Sequence, residues 1–163
     1  MTRLEAMSAD EFRDSFEKGI SRAAEDNIVR GLWSPTVALE TARSEMAQLL
    51  PQGRETPGFS FLKIIDETTG ERVGETWYSV DSKGGRNHFW VHWIMVEPRF
   101  RRQGHARATL HQLASNARET GADRIGLHVL ADNSEALALY AALGYLPTSH
   151  RMARRLPRSD TDR

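Results

Sequence analysis

Apolar residues recur at helical spacing along the first fifty positions, and then the period changes. Phe12, Phe16, Ile20 and Ala23 fall on one helical face. Ser8, with Glu11 three residues on, has the form of a capping box that would start this helix. Gly31 interrupts the pattern. Ser34 followed by Pro35 reads as a second helix start, with Leu39, Ala42, Met46 and Leu49 as its stripe and Pro51-Gln52-Gly53 as its end. From Phe59 the runs become strand-like, over 59–65, 73–80 and 88–96, with turn signals at Thr69-Gly70 and at 82–85. Their short connections predict an antiparallel meander.

The helical period then returns. Ala106, Leu110, Leu113 and Ala117 mark a helix that stops near Gly121. Residues 124–130 read as a strand and 133–143 as a helix, with Ala136, Leu139, Tyr140 and Leu143 on one face and Gly144 at its end. A last strand is expected from Tyr145, interrupted at Pro147. Helices between strands imply a crossover with parallel pairing. The predicted fold class is therefore α/β, a mixed, mostly antiparallel central sheet flanked by helices, in a single domain over 1–163.

Composition narrows the chemistry. The 163 residues suit one domain, and the absence of cysteine removes disulfides, cysteine nucleophiles and zinc–thiolate sites. No apolar run approaches the roughly 18 to 20 residues of a membrane span, and the charged start lacks a signal-peptide core. A cytoplasmic protein with no membrane partner is expected. Lys plus Arg equals Asp plus Glu at 22 each, which argues against a nucleic-acid partner. The basic residues are nonetheless clustered, at Arg99, Arg101, Arg102 and Arg107 and again at Arg151, Arg154, Arg155 and Arg158.

The first cluster lies where a strand enters a glycine-containing turn that opens a helix, Val96 to Ala106. Backbone N–H groups at a helix start lack internal partners and favour an anion, and Gly104 leaves room for close approach. The segment has neither the Gly-x-x-x-x-Gly-Lys-Ser/Thr pattern nor the triple-glycine dinucleotide fingerprint. It resembles the signature of the GNAT superfamily of N-acetyltransferases, Arg/Gln-x-x-Gly-x-Gly/Ala, with Arg101, Gly104 and Ala106 in the defining positions. A second family pattern, Asn-x-x-Ala-x-x-Leu-Tyr-x-x-x-Gly-Phe/Tyr, is matched by Asn133, Ala136, Leu139, Tyr140, Gly144 and Tyr145. The chain looks closest to a bacterial subgroup with unassigned substrates, sharing two leading helices, Trp33-Ser34, Leu49-Leu50-Pro51 and Leu127-His128-Val129.

The resemblance implies a GNAT-like fold and an acetyl-CoA-dependent N-acetyltransferase in which an amine attacks the thioester directly. It places acetyl-CoA against residues 88–145 and the acceptor against the helical region 8–50. Arg101, Arg102, Gln103, Gly104, His105, Ala106 and Arg107 would hold the pyrophosphate. Ile94, Met95 and Val96 would pair with the pantetheine as an added strand, and a main-chain N–H near Ile94 or Met95 would meet the oxyanion. Asn133 and Ala136 would help fix the cofactor, and Tyr140 would be the general acid toward sulfur.

The base is less determined. Some family members place a glutamate where Trp90 stands here. Strand alternation puts Trp90, His92 and Ile94 on one face and Val91, Trp93 and Met95 on the other. His92 then becomes the candidate base, His128 in the neighbouring strand a second, and a water relay a third. His105 is expected to touch phosphate or solvent. No metal is expected, since His88 and His92 share a strand and have no partner at zinc-ligand spacing. The acceptor is a small-molecule or peptide amine of unspecified identity. A homodimer through 145–156 and a monomer with a basic tail are both compatible with the sequence. The competing function is a non-catalytic acyl-CoA-binding or regulatory domain, for which Tyr140 would be dispensable.

Overall fold

Hydrophobic alternation after Phe59 becomes four strands of one five-stranded sheet, in which the strands lie in chain order. The computed structural model describes residues 1–154 and Leu156, in two compact units, Met1–His128 and the chain from Val129. In the first unit β2 (Phe59–Asp66), β3 (Arg72–Lys83) and β4 (Arg86–Val96) form the expected antiparallel meander. β5 (Ile125–Leu127) joins β4 in parallel. The predicted strand 124–130 is thus only three residues long. An additional edge strand, β1 (Thr2–Ala6), pairs antiparallel with β2.

Helices cover both faces of this mixed, mostly antiparallel sheet. Helix α1 (Ala9–Val29) starts with the full capping box: Ser8 Oγ accepts from the Glu11 N–H at 3.2 Å, and the Glu11 carboxylate accepts from the Ser8 N–H at 2.7 Å. The predicted start of the second helix is corrected. Val37 rather than Ser34 precedes α2 (Ala38–Leu49). Ser34 instead takes the Val37 and Ala38 N–H groups on its carbonyl in a turn, and its hydroxyl bonds Thr36. With the start displaced by three residues, Ala38, Ala42 and Met46 pack inward while Leu39 and Leu49 are exposed.

The α1–α2 face of the sheet holds Met7, Leu50, Phe61 and Trp77, with Phe12, Phe16, Met46, Phe59 and Trp93 against them. Its centre is polar. Glu75 is 1% exposed, yet both its carboxylate oxygens are satisfied. Ser15 Oγ and Trp93 Nε1 donate to Oε1 at 2.7 and 3.1 Å, and Arg72 Nη2 donates to Oε2 at 2.6 Å. Trp77 Nε1 donates in turn to Ser15 Oγ. Such pairing offsets the desolvation that a buried carboxylate otherwise suffers, and it ties α1 to β3 and β4. On the opposite face, α3 (His105–Glu119) packs Leu113 and Ala117 onto Phe89 and Val91.

The second unit contains α4 (Ser134–Ala142). The last strand expected from Tyr145 is absent among the described residues, where 145–154 carries no regular structure. Arg155 and Arg158 of the basic tail lie outside the described residues. Among the described residues, no helix is long and apolar enough to cross a membrane.

Candidate active site

A β-bulge in β4 sets the geometry. Trp77 pairs with Trp93 but the next residue, Tyr78, pairs with Val91, so His92 is the extra residue. A bulge resets alternation, and this overturns the expected grouping of Trp90, His92 and Ile94. Ile94 packs with Phe89 and Val91 on the α3 face, whereas Trp93 packs with Trp77 and Phe61 on the other. His92 lies on that second face. Its ring stacks on Phe59, centroids 4.9 Å apart, and its Nε2 shares a 2.8 Å hydrogen bond with Ser79 Oγ. Burial lowers its pKa, so the ring stays neutral further into acid than an ordinary histidine.

The parallel register between β4 and β5 runs from Phe89 to Val91 and stops one residue before the bulge. Beyond it, Ile94, Met95 and Val96 pair with β3, and no β5 partner faces them among the described residues. The two strands part at His92. Thr76, fully buried in β3, donates its hydroxyl to the Trp93 carbonyl at 2.8 Å and so satisfies an oxygen at the irregular step.

Beyond Val96 a short turn of 3-10 helix, Pro98–Phe100, leads into α3. Arg101 folds back, its Nε donating to the Val96 carbonyl at 3.0 Å, and Gln103 Nε2 donates to the Arg99 carbonyl. Arg102 at φ 63° and Gly104 at φ 86° both occupy the left-handed region. Gly104 is the N-cap and supplies no side-chain cap. The first bond into the helix comes from the Ala108 N–H, and the N–H groups of Gly104, His105, Ala106 and Arg107 have no backbone partner among the described residues. A Cβ at Gly104 would meet nothing within 4 Å, so the space beside these donors is open. Four unpartnered donors, a helix dipole and adjacent arginines fit a pyrophosphate.

His105 departs from its expected role. Its side chain is 7% exposed, faces the Phe100 ring edge-on, and carries an Nε2 with no hydrogen-bond partner. Only its main-chain N–H is presented to the loop. Arg107 is exposed.

In the second unit Asn133 caps α4, its Oδ1 accepting from the Ala136 N–H at 3.2 Å. Ala136, Leu139, Tyr140 and Leu143 are the shielded positions, as the spacing predicts. The Tyr140 ring lies 5.5 Å from that of Tyr145. Burial raises the Tyr140 pKa, and burial with the neighbouring Tyr140 pushes Tyr145 up to about 12.

Two groups of expected residues are therefore assembled. Ile94, Met95 and Val96 run directly into Arg101, Arg102, Gln103, Gly104, His105, Ala106 and Arg107 in the first unit, and Asn133, Ala136 and Tyr140 share the start and face of α4. His128 stands apart, exposed and past the end of β5 rather than within it. Ser79, Phe59 and Thr76, which hold His92 and the bulge, carry no signal in the sequence. Among the described residues no group of three or more His, Asp or Glu is arranged to hold a metal ion.

A model of the acetyltransferase (GNAT) family matches residues 25–145. An uncharacterized N-acetyltransferase of Bacillus subtilis, YdgE, is 32% identical over 153 residues, which is 94% of this chain and 97% of that protein. The crystal structure of a putative acetyltransferase from the same organism, YycN, aligns with a TM-score of 0.89 at 26% identity, over 97% of this chain and all of that one. A putative acetyl transferase from Pyrococcus furiosus shares the fold, with a TM-score of 0.71 at 23% identity over 96% of this chain and 100% of its own.

Proposed function

The chain belongs to the GNAT family of acetyltransferases, and from that premise we propose that it moves an acetyl group from acetyl-CoA to a primary amine by direct attack. The observation that carries this reading is the uncapped start of α3 beside the free edge of β4. Unpartnered donors on 104–107 suit a pyrophosphate, and the unpaired edge of 94–96 suits an extended amide chain.

Acetyl-CoA supplies an electrophilic thioester carbon. The amine lone pair forms the C–N bond as the C–S bond breaks, and holding both partners in place supplies much of the acceleration. A main-chain N–H near Ile94 or Met95 donates to the oxygen that gains charge. His92, neutral because it is buried, takes the amine proton directly or through water. Tyr140, like any phenol, keeps its proton at neutral pH, burial raising its pKa further from the ordinary 10.0, and it gives that proton to the departing sulfur. Arg101 shapes the loop through Val96 while adding positive charge beside the anion site.

The test is calorimetry with acetyl-CoA in chelator, followed by a screen of primary amines for release of coenzyme A thiol. Saturable binding and thiol release with at least one amine are expected. Binding without turnover on any amine would leave a non-catalytic acyl-CoA-binding domain as the better description. Absence of binding would remove both readings.

A further inference from the structure

One row of paired residues crosses four strands beside His92. Phe59 on β2 pairs with Ser79 on β3, Ser79 with Trp90 on β4, and Trp90 with Gly126 on β5. Sizes alternate along it as large, small, large, small. Phe89 and Val91 are buried on the α3 face, so Trp90 points to the opposite one, where it is 42% exposed. A Cβ on Gly126 would come within 2.5 and 2.6 Å of the indole's six-membered ring. The glycine lets that ring lie directly on the β5 backbone, which supports one of its surfaces and leaves it little freedom.

Two aromatic surfaces border the row. The Trp90 indole lies on β5 at one end, and the stacked Phe59–His92 pair lies toward the other, with His92 tied to the Ser79 hydroxyl. The cations Lys63 and Arg72, which share this face, are already engaged, Lys63 with Glu11 at 3.1 Å and Arg72 with Glu75 at 2.6 Å. The next pair outward is Asp81 and His88, both exposed. An aromatic slot with a carboxylate near its edge attracts an ammonium by the face of its indole. Among the described residues, the row from Phe59 to Gly126 itself holds no Lys or Arg. The nearest such pair on this face is Lys83 and Arg86, one rung beyond Asp81 and His88, with Arg86 held by Asp123. The aromatic surfaces match a flat or slender apolar group.

We propose that this slot binds the acceptor, and that the acceptor is a primary amine borne on an aryl or alkyl group and lacking phosphate or carboxylate. The inference rests on the acetyltransferase reading and adds the substrate class to it. Trp90 is the specificity residue, Gly126 supports it, and His92 faces the entering nitrogen.

The test compares kcat/KM for phenethylamine, hexylamine, spermidine, glycine and phosphoethanolamine in the wild type, Trp90→Ala, Trp90→Phe and Gly126→Ala. Phenethylamine or hexylamine should lead the others by about tenfold or more. Trp90→Ala should raise the acceptor KM by about tenfold with little change in acetyl-CoA affinity, and Trp90→Phe should recover most of the loss. Gly126→Ala should behave like Trp90→Ala, because its methyl displaces the indole. A preference for glycine, phosphoethanolamine or spermidine would overturn the proposal, as would an unchanged acceptor KM in Trp90→Ala. Acetyl-CoA binding with no turnover on any of the five amines would overturn it too. A wild type that binds no acetyl-CoA would instead defeat the underlying acetyltransferase reading, and calorimetry separates that case from the others.

Discussion

The Thr76 hydroxyl donates to the main-chain carbonyl of Trp93 at 2.8 Å, at the point where the β3–β4 register slips by one residue. A bulge disrupts the ladder locally, and a side chain from the neighbouring strand supplies a bond there. Glu75 holds the indole of the same tryptophan from the other side of the sheet. Residue 93 is thus fixed at both its backbone and its side chain, immediately before the 94–96 segment proposed to bind pantetheine.

Thr76→Val keeps the shape and removes that donor. Unfolding free energy should fall by about 1–3 kcal/mol, the usual cost of leaving a buried carbonyl without its partner. Amide exchange should quicken at residues 93–96 and not at β1, and acetyl-CoA should bind more weakly. Thr76→Ser should restore both. Wild-type exchange in Thr76→Val would show that the bulge holds without the hydroxyl.

Gly104→Glu should abolish acetyl-CoA binding without unfolding the chain. The position has φ 86°, a Cβ there would meet nothing within 4 Å, and it immediately precedes the unpartnered donors of α3. A carboxylate there brings negative charge to the place proposed for pyrophosphate, and the left-handed backbone adds about 1–2 kcal/mol of strain. Circular dichroism checks the fold and calorimetry in chelator checks binding. Wild-type affinity in this variant would move the anion site elsewhere.

Leu146, Met152 and Leu156 are exposed on a stretch without regular structure. Exposed apolar residues concentrated in one segment favour association, and we propose a homodimer formed through it. Light scattering at micromolar concentration should give twice the chain mass, and Leu146→Asp with Met152→Asp should return it to one. A wild type of single-chain mass removes the dimer.

How far the sequence reached depends on whether a feature is local. The Ser8–Glu11 capping box and the Gly104 turn are written in adjacent residues, and both appear where expected. β1 is five residues long and carries Arg3 and Glu5, so no apolar run announces it. Pairing with β2 makes it a strand. Trp90 and His92 share a face as alternation predicts, but Trp93 and Ile94 exchange faces because a bulge is a relation between two strands, and nothing within β4 marks His92 as the extra residue. The same holds for Ser79 and Phe59, which become partners of His92 only through register. Tyr145 was legible as the aromatic of a signature, but not as the ring beside Tyr140 that helps shape its surroundings.

His92→Gln tests the base through pH. Burial lowers the folded-state pKa of His92 below the ordinary 6.5. If the ring accepts the amine proton, wild-type kcat/KM should fall in acid through an ionisation below 6.5. The glutamine variant should lose rate most where the wild-type ring is neutral, the two rates converging in acid, and by less than Tyr140→Phe. Stability should follow the same sign. The unfolded chain takes up the proton first as pH drops through 6.5, so the contribution of neutral His92 is present above that value and lost toward the folded pKa. His92→Gln should flatten this dependence in denaturant titrations. An unaltered pH–rate profile in the variant assigns proton removal to water.

Tyr140→Phe separates chemistry from binding most cleanly. The substitution keeps the ring beside Tyr145 and the shielded face of α4, so the melting temperature and acetyl-CoA affinity should hardly change. It deletes only the hydroxyl, which is protonated at neutral pH and whose pKa burial raises further. If that proton goes to the leaving sulfur, kcat should drop by about 10² or more, the range of general acid catalysis, while KM for acetyl-CoA stays near the wild type. Tyr145→Phe is the internal control. Its hydroxyl is buried without a partner and its pKa is pushed up to about 12, so removing it should leave kcat nearly intact. The measurement is turnover against pH with an accepted amine, together with a single-turnover experiment to show that product release does not hide the chemical step. Equal rates for Tyr140→Phe and wild type in the single turnover would rule out Tyr140 as the acid. A larger loss in Tyr145→Phe than in Tyr140→Phe would transfer that role to the neighbouring ring.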